Sequence, residues 1–168
     1  KRPPATNSGA SDRSARADPV IPMSHESEKT YSESVEMYLK EIYLLSRDGD
    51  PASTGAIADR LDVSPPSVTD RLNHLTELGL VTYQKHRGAS LTERGESEAV
   101  ALLRKHCRIE RFLVQELEVT EGFHEEACRL EHATTDEVAR RLDKFVDLPE
   151  ECPDCYDPEA QHCSKLSP

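Results

Sequence analysis

Within residues 53–91, two helix signals meet at a tight turn and a two-strand ribbon follows, which leaves the chain few folds to choose from. The second signal is Ser64-Pro-Pro-Ser-Val-Thr-Asp-Arg-Leu-Asn-His-Leu-Thr-Glu-Leu-Gly79. Ser64 can cap the helix and Pro65 suits its first position, because the amide that proline lacks has no partner there. Val68, Leu72 and Leu75 form the inner stripe, and Gly79 stops the helix. Before it, residues 53–61 predict a short helix with Ile57, Ala58 and Leu61 inward, closed by an Asp62-Val63 turn. After it, residues 80–83 and 89–91 read as strands around Gln84-Lys-His-Arg-Gly88, a β-hairpin wing. Two helices joined by a short turn, the second opening on small hydroxyl residues, make a helix-turn-helix layout. Upstream, Thr30-Tyr-Ser-Glu33 reads as a capping box. It opens a helix whose Val35, Tyr38, Leu39, Ile42 and Leu45 share one face. The expected fold is mainly α: an N-terminal winged helix-turn-helix (residues 30–95) followed by a helical domain (96–148).

The chain is acidic, 32 Asp and Glu against 21 Lys and Arg, with a net charge of −11 and a pI near 5.1. Taken whole, that argues against nucleic acid. Residues 53–95, however, carry Arg60, Arg71, Lys85, Arg87 and Arg94 against Asp59, Asp62, Asp70, Glu77 and Glu93, so the segment is neutral. Relative to the rest it fits a module facing double-stranded DNA. The DNA-facing set is Arg60, Ser64, Pro66, Ser67, Thr69, Asp70, Arg71 and Arg87, with Arg87 at the wing tip. Hydroxyl side chains discriminate poorly between bases, so the operator is not legible. The acidic excess also fits a host with molar internal salt, where exposed charges are screened.

Downstream, Ala99, Leu102, Leu103, Ile109, Phe112 and Leu113 give a long helix from Thr92 to about Leu117 a wide apolar face. A helix over about 121–133 follows, and Thr134-Thr-Asp-Glu137 caps another with Val138, Leu142 and Val146 inward. These faces need a partner, which predicts a homodimer. The middle helix holds His124-Glu-Glu-Ala-Cys-Arg-Leu-Glu-His132. Cys128, Glu131 and His132 stand at i, i+3 and i+4, so thiolate, carboxylate and imidazole converge. His124 lies one turn back, and His106 and Glu110 repeat the spacing on the preceding helix. Mixed S, N and O donors suit a divalent first-row transition metal; the bland alternative is a solvated acidic helix with incidental histidines.

Residues 1–29 are rich in Pro, Ser, Ala and charge and read as a disordered extension. No apolar run reaches membrane-spanning length and no signal-peptide core appears, so a cytoplasmic protein is expected. There five cysteines serve as ligands or free thiols. The tail, residues 149–168, holds Cys152-Pro-Asp-Cys155 and then His162-Cys163. A four-ligand Zn²⁺ closure, a redox pair and a plain disordered tail compete, since adjacent His162 and Cys163 are cramped for joint ligation.

From Tyr31 to about Leu148 the chain resembles the DtxR/MntR metal-dependent repressors. The resemblance rests on Glu-Met-Tyr-Leu-Lys-Glu-Ile-Tyr (36–43), Ile-Ala-Asp-Arg-Leu-Asp (57–62), Arg-Lys-His-Cys-Arg-Ile-Glu-Arg (104–111), the 124–132 stretch and Asp-Glu-Val-Ala-Arg-Arg-Leu (136–142). It is closest to the iron-responsive diphtheria-toxin-repressor branch. It implies a regulatory metal site of Met37, Cys128, Glu131 and His132, and an accompanying site of His106, Glu110 and His124. That branch usually adds a C-terminal SH3-like domain with ligands for the accompanying site; here the expectation is completion by water, an anion or the tail.

The branch's manganese-selective relatives place carboxylates where this chain has Met37 and Cys128, and a further Glu where it has Lys40. Thioether and thiolate donors shift preference from Mn²⁺ toward Fe²⁺ and later metals, although several divalent ions should bind in vitro. The resemblance thus implies an iron(II)-dependent repressor of iron-uptake genes, a manganese-dependent regulator being the alternative. From a different class, a metal-handling protein or hydrolase carrying a metal-independent winged helix lacks support: no nucleophile–base pair is visible, and no small organic substrate or enzyme activity is expected.

Overall fold

The computed structural model describes residues 31–160 and 162–166. The expectations for residues 1–29 and for Thr30 lie outside them. Residues from Tyr31 onward form one compact unit. Among the described residues no helix is long and apolar enough to cross a membrane.

Helix α1 (Glu33–Leu45) is followed by α2 (Thr54–Leu61) and α3 (Pro65–Glu77). The N-cap of α1 is Ser32, two residues beyond the expected Thr30, and its side chain makes no capping bond. Ser53 Oγ accepts from Ala56 N at 3.1 Å, and Ser64 Oγ from Ser67 N at 3.4 Å, so both caps of the helix-turn-helix act as the sequence dictates. Val68, Leu72 and Leu75 are fully buried, and join Leu39, Ile42 and Ile57 in one apolar core. Strands β1 (Val81–Gln84) and β2 (Gly88–Leu91) pair antiparallel with Thr82 opposite Ser90, and Ala52 makes an isolated antiparallel bridge to Ala89 of β2. Gly88 is required there: its φ is +102° and an added Cβ would sit 2.6 Å from Ala52 O.

Helix α4 (Glu93–Arg111) runs on through a π-helical turn (Phe112–Glu116). Its first turn presses on β1, where a Cβ on Gly95 would fall 1.9 Å from Leu80 O, so only glycine fits. Helix α5 (Phe123–Ala133) packs on α4, and α6 (Asp136–Arg141) ends in a 3₁₀ turn (Leu142–Lys144). The cap of α6 is Thr135, which accepts from Val138 N at 3.4 Å, not Thr134. Starting one residue later turns the helix by about 100°. Ala139 therefore faces inward, and Val138, expected there, is 47% exposed. Of that stripe Val146 is buried and Leu142 half-buried.

The tail is folded over its described length. A two-rung hairpin, β3 (Tyr156–Asp157) with β4 (His162–Cys163), lies against α4. Cys152, Cys155, Tyr156, Cys163 and Leu166 are buried, so of the tail alternatives the plain disordered one is excluded for these residues.

Candidate metal centre and nucleic-acid face

The packing of α4 on α5 buries charge where a domain of this size normally buries only hydrocarbon. His106 and Glu110, one turn apart on α4, are fully buried, and Glu131 of α5 is 2% exposed. His106 Nδ1 lies 2.5 Å from Glu131 Oε2, and Lys40 Nζ of α1 donates to the same carboxylate at 3.2 and 3.4 Å. His124 Nδ1 contacts Glu110 Oε1 at 3.0 Å, and Cys128 Sγ lies 3.4 Å from His124 Nε2. The ligating atoms of His106, His124 and Cys128 all stand within 4.8 Å of one another.

Burial alone would push His106 down, yet its contacts with Cys128, Glu110 and Glu131 raise it to about 10. His124 responds in the same way, brought to about 9 by Cys128 and Glu110. Burial raises the Cys128 thiol, but His106 and His124 outweigh it and bring it down to about 6. Glu110, despite its burial, is held at about 2 by the two histidines. Without a cation the cluster is therefore a set of mutually neutralising charges. One of these pairs is imperfect: His106 Nε2 lies 2.9 Å from Glu110 Oε1 but off the hydrogen-bond line, so no hydrogen bond satisfies the nitrogen. A buried ring nitrogen aimed beside a carboxylate, with imidazole and thiolate in reach, is a donor set that fits a divalent transition metal.

Beside this cluster a cavity of about 330 Å³ opens between α1 and α5. Met37, Cys128, Glu131 and His132 all line it, so the structure brings the four expected regulatory residues around one volume. Cys128 serves both places, since the tight cluster groups it with His106 and His124. Arg60, Leu61 and Asp62 line the same cavity, which thus reaches the turn leading into α3.

Three residues of this site were absent from the sequence reading as participants. Glu36 Oε2 lies 2.6 Å from His132 Nδ1; Lys40 holds Glu131; Tyr156 packs its ring 5.6 Å from His106. Glu36 and Lys40 stand four apart on α1, flanking Met37, and that spacing was the available signal. Nothing local marks Tyr156, which arrives from the tail. Cys163 N also donates to Glu110 Oε2 at 3.3 Å, so the tail covers the His106–Glu110 pair.

The tail set itself needs one correction. His162 turns its Nδ1 toward Cys163 O and packs on Phe123, away from the thiols. In its place Cys107 of α4 joins the tail cysteines, with its sulfur within 4.8 Å of those of Cys155 and Cys163.

On the opposite half, Ser64, Pro66, Ser67, Asp70 and Arg87 are exposed, and Thr69 and Arg71 are half-buried on the same helix. Ser67, Asp70, Arg71 and His74 line one shallow groove. A second of about 340 Å³ runs from Ser53 and Thr69 to Tyr83, Lys85, His86 and Arg87, joining α3 to the wing. Lys85 and His86 belong to this face though the sequence reading did not single them out for it. Arg60 is turned elsewhere: its Nε donates to Glu41 Oε2 at 2.8 Å and its Nη1 to Pro158 O at 3.1 Å.

Residues 30–89 match the iron dependent repressor N-terminal DNA binding domain, and residues 92–157 the iron dependent repressor metal binding and dimerisation domain. An uncharacterised HTH-type transcriptional regulator of Methanocaldococcus jannaschii is 42% identical over 118 residues, covering 69% of this chain and 94% of that protein. The iron-dependent repressor IdeR of Mycobacterium tuberculosis is 38% identical over 122 residues, covering 72% and 53%. The solved structure of the manganese regulator SloR superposes with a TM-score of 0.60 at 42% identity, covering 71% and 56%. The chain thus spans about half the length of the last two.

Proposed function

The chain belongs to the iron-dependent repressor (DtxR/MntR) family, and from that premise we propose that it is an iron(II)-dependent repressor, binding operator DNA as a homodimer. The carrying observation is the cavity between α1 and α5, where Met37, Cys128, Glu131 and His132 surround one volume that also touches the turn into α3.

Those four residues would hold the regulatory ion, and His106, Glu110 and His124 the accompanying one. A bound cation would supply positive charge for the Glu131 carboxylate and the Cys128 thiolate of α5, with the Met37 thioether of α1 as a neutral donor. The chain's own residues do the rest. Lys40 neutralises Glu131 and Glu36 holds His132. Glu131 and His132 would have to leave Lys40 and Glu36 of α1 to hold an ion, which would change how α1 is held. Because α1 packs on α2 and on β2, its position is passed to the reading helix and the wing. Metal and DNA then strengthen each other's binding by the same factor.

Relatives are named for iron and for manganese, so donor chemistry carries the choice. A thioether and a thiolate favour Fe²⁺ over Mn²⁺. We also read the net charge of −11 as adaptation to high internal salt and the protein as cytoplasmic, with residues 30–95 as the reading domain and 96–148 as the sensing and dimerising one.

The test is an anaerobic DNA-binding titration on the protein's own promoter regions, with Fe²⁺ and Mn²⁺ in parallel at low and high KCl. Tighter binding with Fe²⁺, lost in Met37→Ala, is expected. An equal response to both ions moves the choice to cellular metal supply. No response to either sinks the sensor reading.

A further inference from the structure

Four of the five cysteines meet in one buried cluster that the sensing site does not use. Cys107 leaves α4 one residue after His106; Cys152 and Cys155 sit on one turn; Cys163 comes from β4. None is more than 6% exposed. The sulfurs of Cys155 and Cys163 are 3.3 Å apart, and those of Cys107, Cys155 and Cys163 all lie within 4.8 Å of one another. Cys107 also contacts Cys152. A tetrahedral Zn²⁺ with bonds of about 2.3 Å sets its sulfurs about 3.8 Å apart, which the 3.3 Å Cys155–Cys163 separation and the 4.8 Å bound on the triad accommodate.

The surroundings fit a thiolate cage. Four thiolates around a divalent ion leave two negative charges. Two arginines stand at the cluster: Arg111, itself buried, places Nη2 3.9 Å from Cys163 Sγ, and Arg104 donates twice to Cys152 O at 3.1 and 3.2 Å. Arg111 Nε has no partner, which leaves the guanidinium's charge available to the sulfurs. The tail also needs a fastening. Its hairpin has two rungs, far short of independent stability; of the two apolar clusters that hold it to α4, one seats Tyr156 on Leu103 and Leu44 and the other is largely the cysteines themselves.

We propose that Cys107, Cys152, Cys155 and Cys163 bind one structural Zn²⁺ per chain, and that this ion fastens the tail to α4. The fastening has a consequence for the neighbouring cluster: it seats Tyr156 against His106 and the Cys163 amide on Glu110. The ion is distinct from the sensed metal, because its all-sulfur, closed site offers no open position and shares no ligand with the mixed-donor cavity.

The experiment uses the full chain, purified under reducing conditions and dialysed against a mild chelator, followed by metal analysis. One zinc per chain should survive dialysis, and a mercurial should release it as the four cluster thiols react, in addition to Cys128. Cys155→Ser and Cys163→Ser should lose the zinc, whereas Cys128→Ser should keep it. Cys163→His, which preserves a zinc donor, should retain the ion; in the cobalt-substituted form it should show weaker thiolate-to-cobalt charge transfer than the parent. Helical circular dichroism of each variant separates loss of ligand from loss of fold, and a folded Cys155→Ser that keeps its zinc overturns the proposal. So does a parent protein that retains no zinc, or one in which Cys155 and Cys163 are found as a disulfide after reducing purification.

Discussion

The winged-helix half and the α4–α5 half are packed by opposite means. In the first, the fully buried side chains include Leu39, Ile42, Ile57, Val68, Leu72, Leu75 and Leu80. In the second, His106, Glu110 and Glu131 are as deeply buried as Leu103 beside them. A hydrocarbon core is indifferent to pH and ions, because its stability comes from apolar area removed from water. A buried polar core is stable only while every charge has a partner, so it changes state when a proton or a cation arrives. The contrast separates a dry half from a charged one, joined through α1, which contributes Leu39 and Ile42 to one and Lys40 to the other.

The largest effect expected is in the dry core. Leu72→Ala removes a fully buried side chain and should cost about 2–5 kcal/mol. Thermal unfolding between pH 6 and 8 should show the same loss throughout. A loss that changes steeply across that range would mean that the two cores are not separable.

The complementary break is in the sensor. His106→Ala takes a partner from buried Glu110 and Glu131, so metal-free stability should fall, and the comparison is made well below the variant's unfolding temperature. The substitution should remove most of the metal enhancement, a factor of about 5–150 if the coupling is ordinary. Fluorescence anisotropy with and without Fe²⁺ measures this. An unchanged enhancement would make the α4–α5 cluster a structural ion network.

The first half was largely legible because its signals are local. Ser53, Ser64 and Pro65 mark starts, and Val68, Leu72 and Leu75 repeat at helical spacing, so each decision needs only a few neighbouring residues. The sensor was legible in its ligand types, since His124, Cys128, Glu131 and His132 share one helix and all face the site. Its partners were not: Lys40 reaches Glu131 across 91 residues, and Tyr156 reaches His106 across 50. No periodicity encodes such pairs. Cys107 escaped for the same reason, because beside His106 it reads as a small core residue until the tail folds back onto it.

Proton linkage sharpens the comparison further. His106 and His124, raised to about 10 and 9 from 6.5, are cationic in the metal-free protein at neutral pH. What they add to metal-free stability is fully present below pH 6.5 and is lost as pH rises through 9 to 10. Metal ligation needs the neutral ring, so each histidine must release its proton. Affinity at this cluster should therefore rise with pH between 6 and 8, by up to about tenfold per unit for each proton released. Calorimetry in buffers of different ionisation enthalpy counts those protons. Binding with no proton release would show that the two histidines are already neutral.

The smallest effect tests where the reading face ends. Arg60 belongs to the expected DNA-facing set, but its guanidinium is held by Glu41 and Pro158, on the side where the metal cavity opens. A partly exposed pair of this kind is worth about 0–1 kcal/mol. Arg60→Ala should therefore change DNA affinity by no more than about fivefold and leave its salt dependence unaltered. Arg87→Ala, at the exposed wing tip, should weaken binding to every sequence alike and lower the salt slope by about one. Measuring log affinity against log salt for both variants decides the matter. If Arg60→Ala also removes one from the slope, the arginine leaves Glu41 when DNA arrives, and the cavity and the reading face share a residue that only one of them holds at a time.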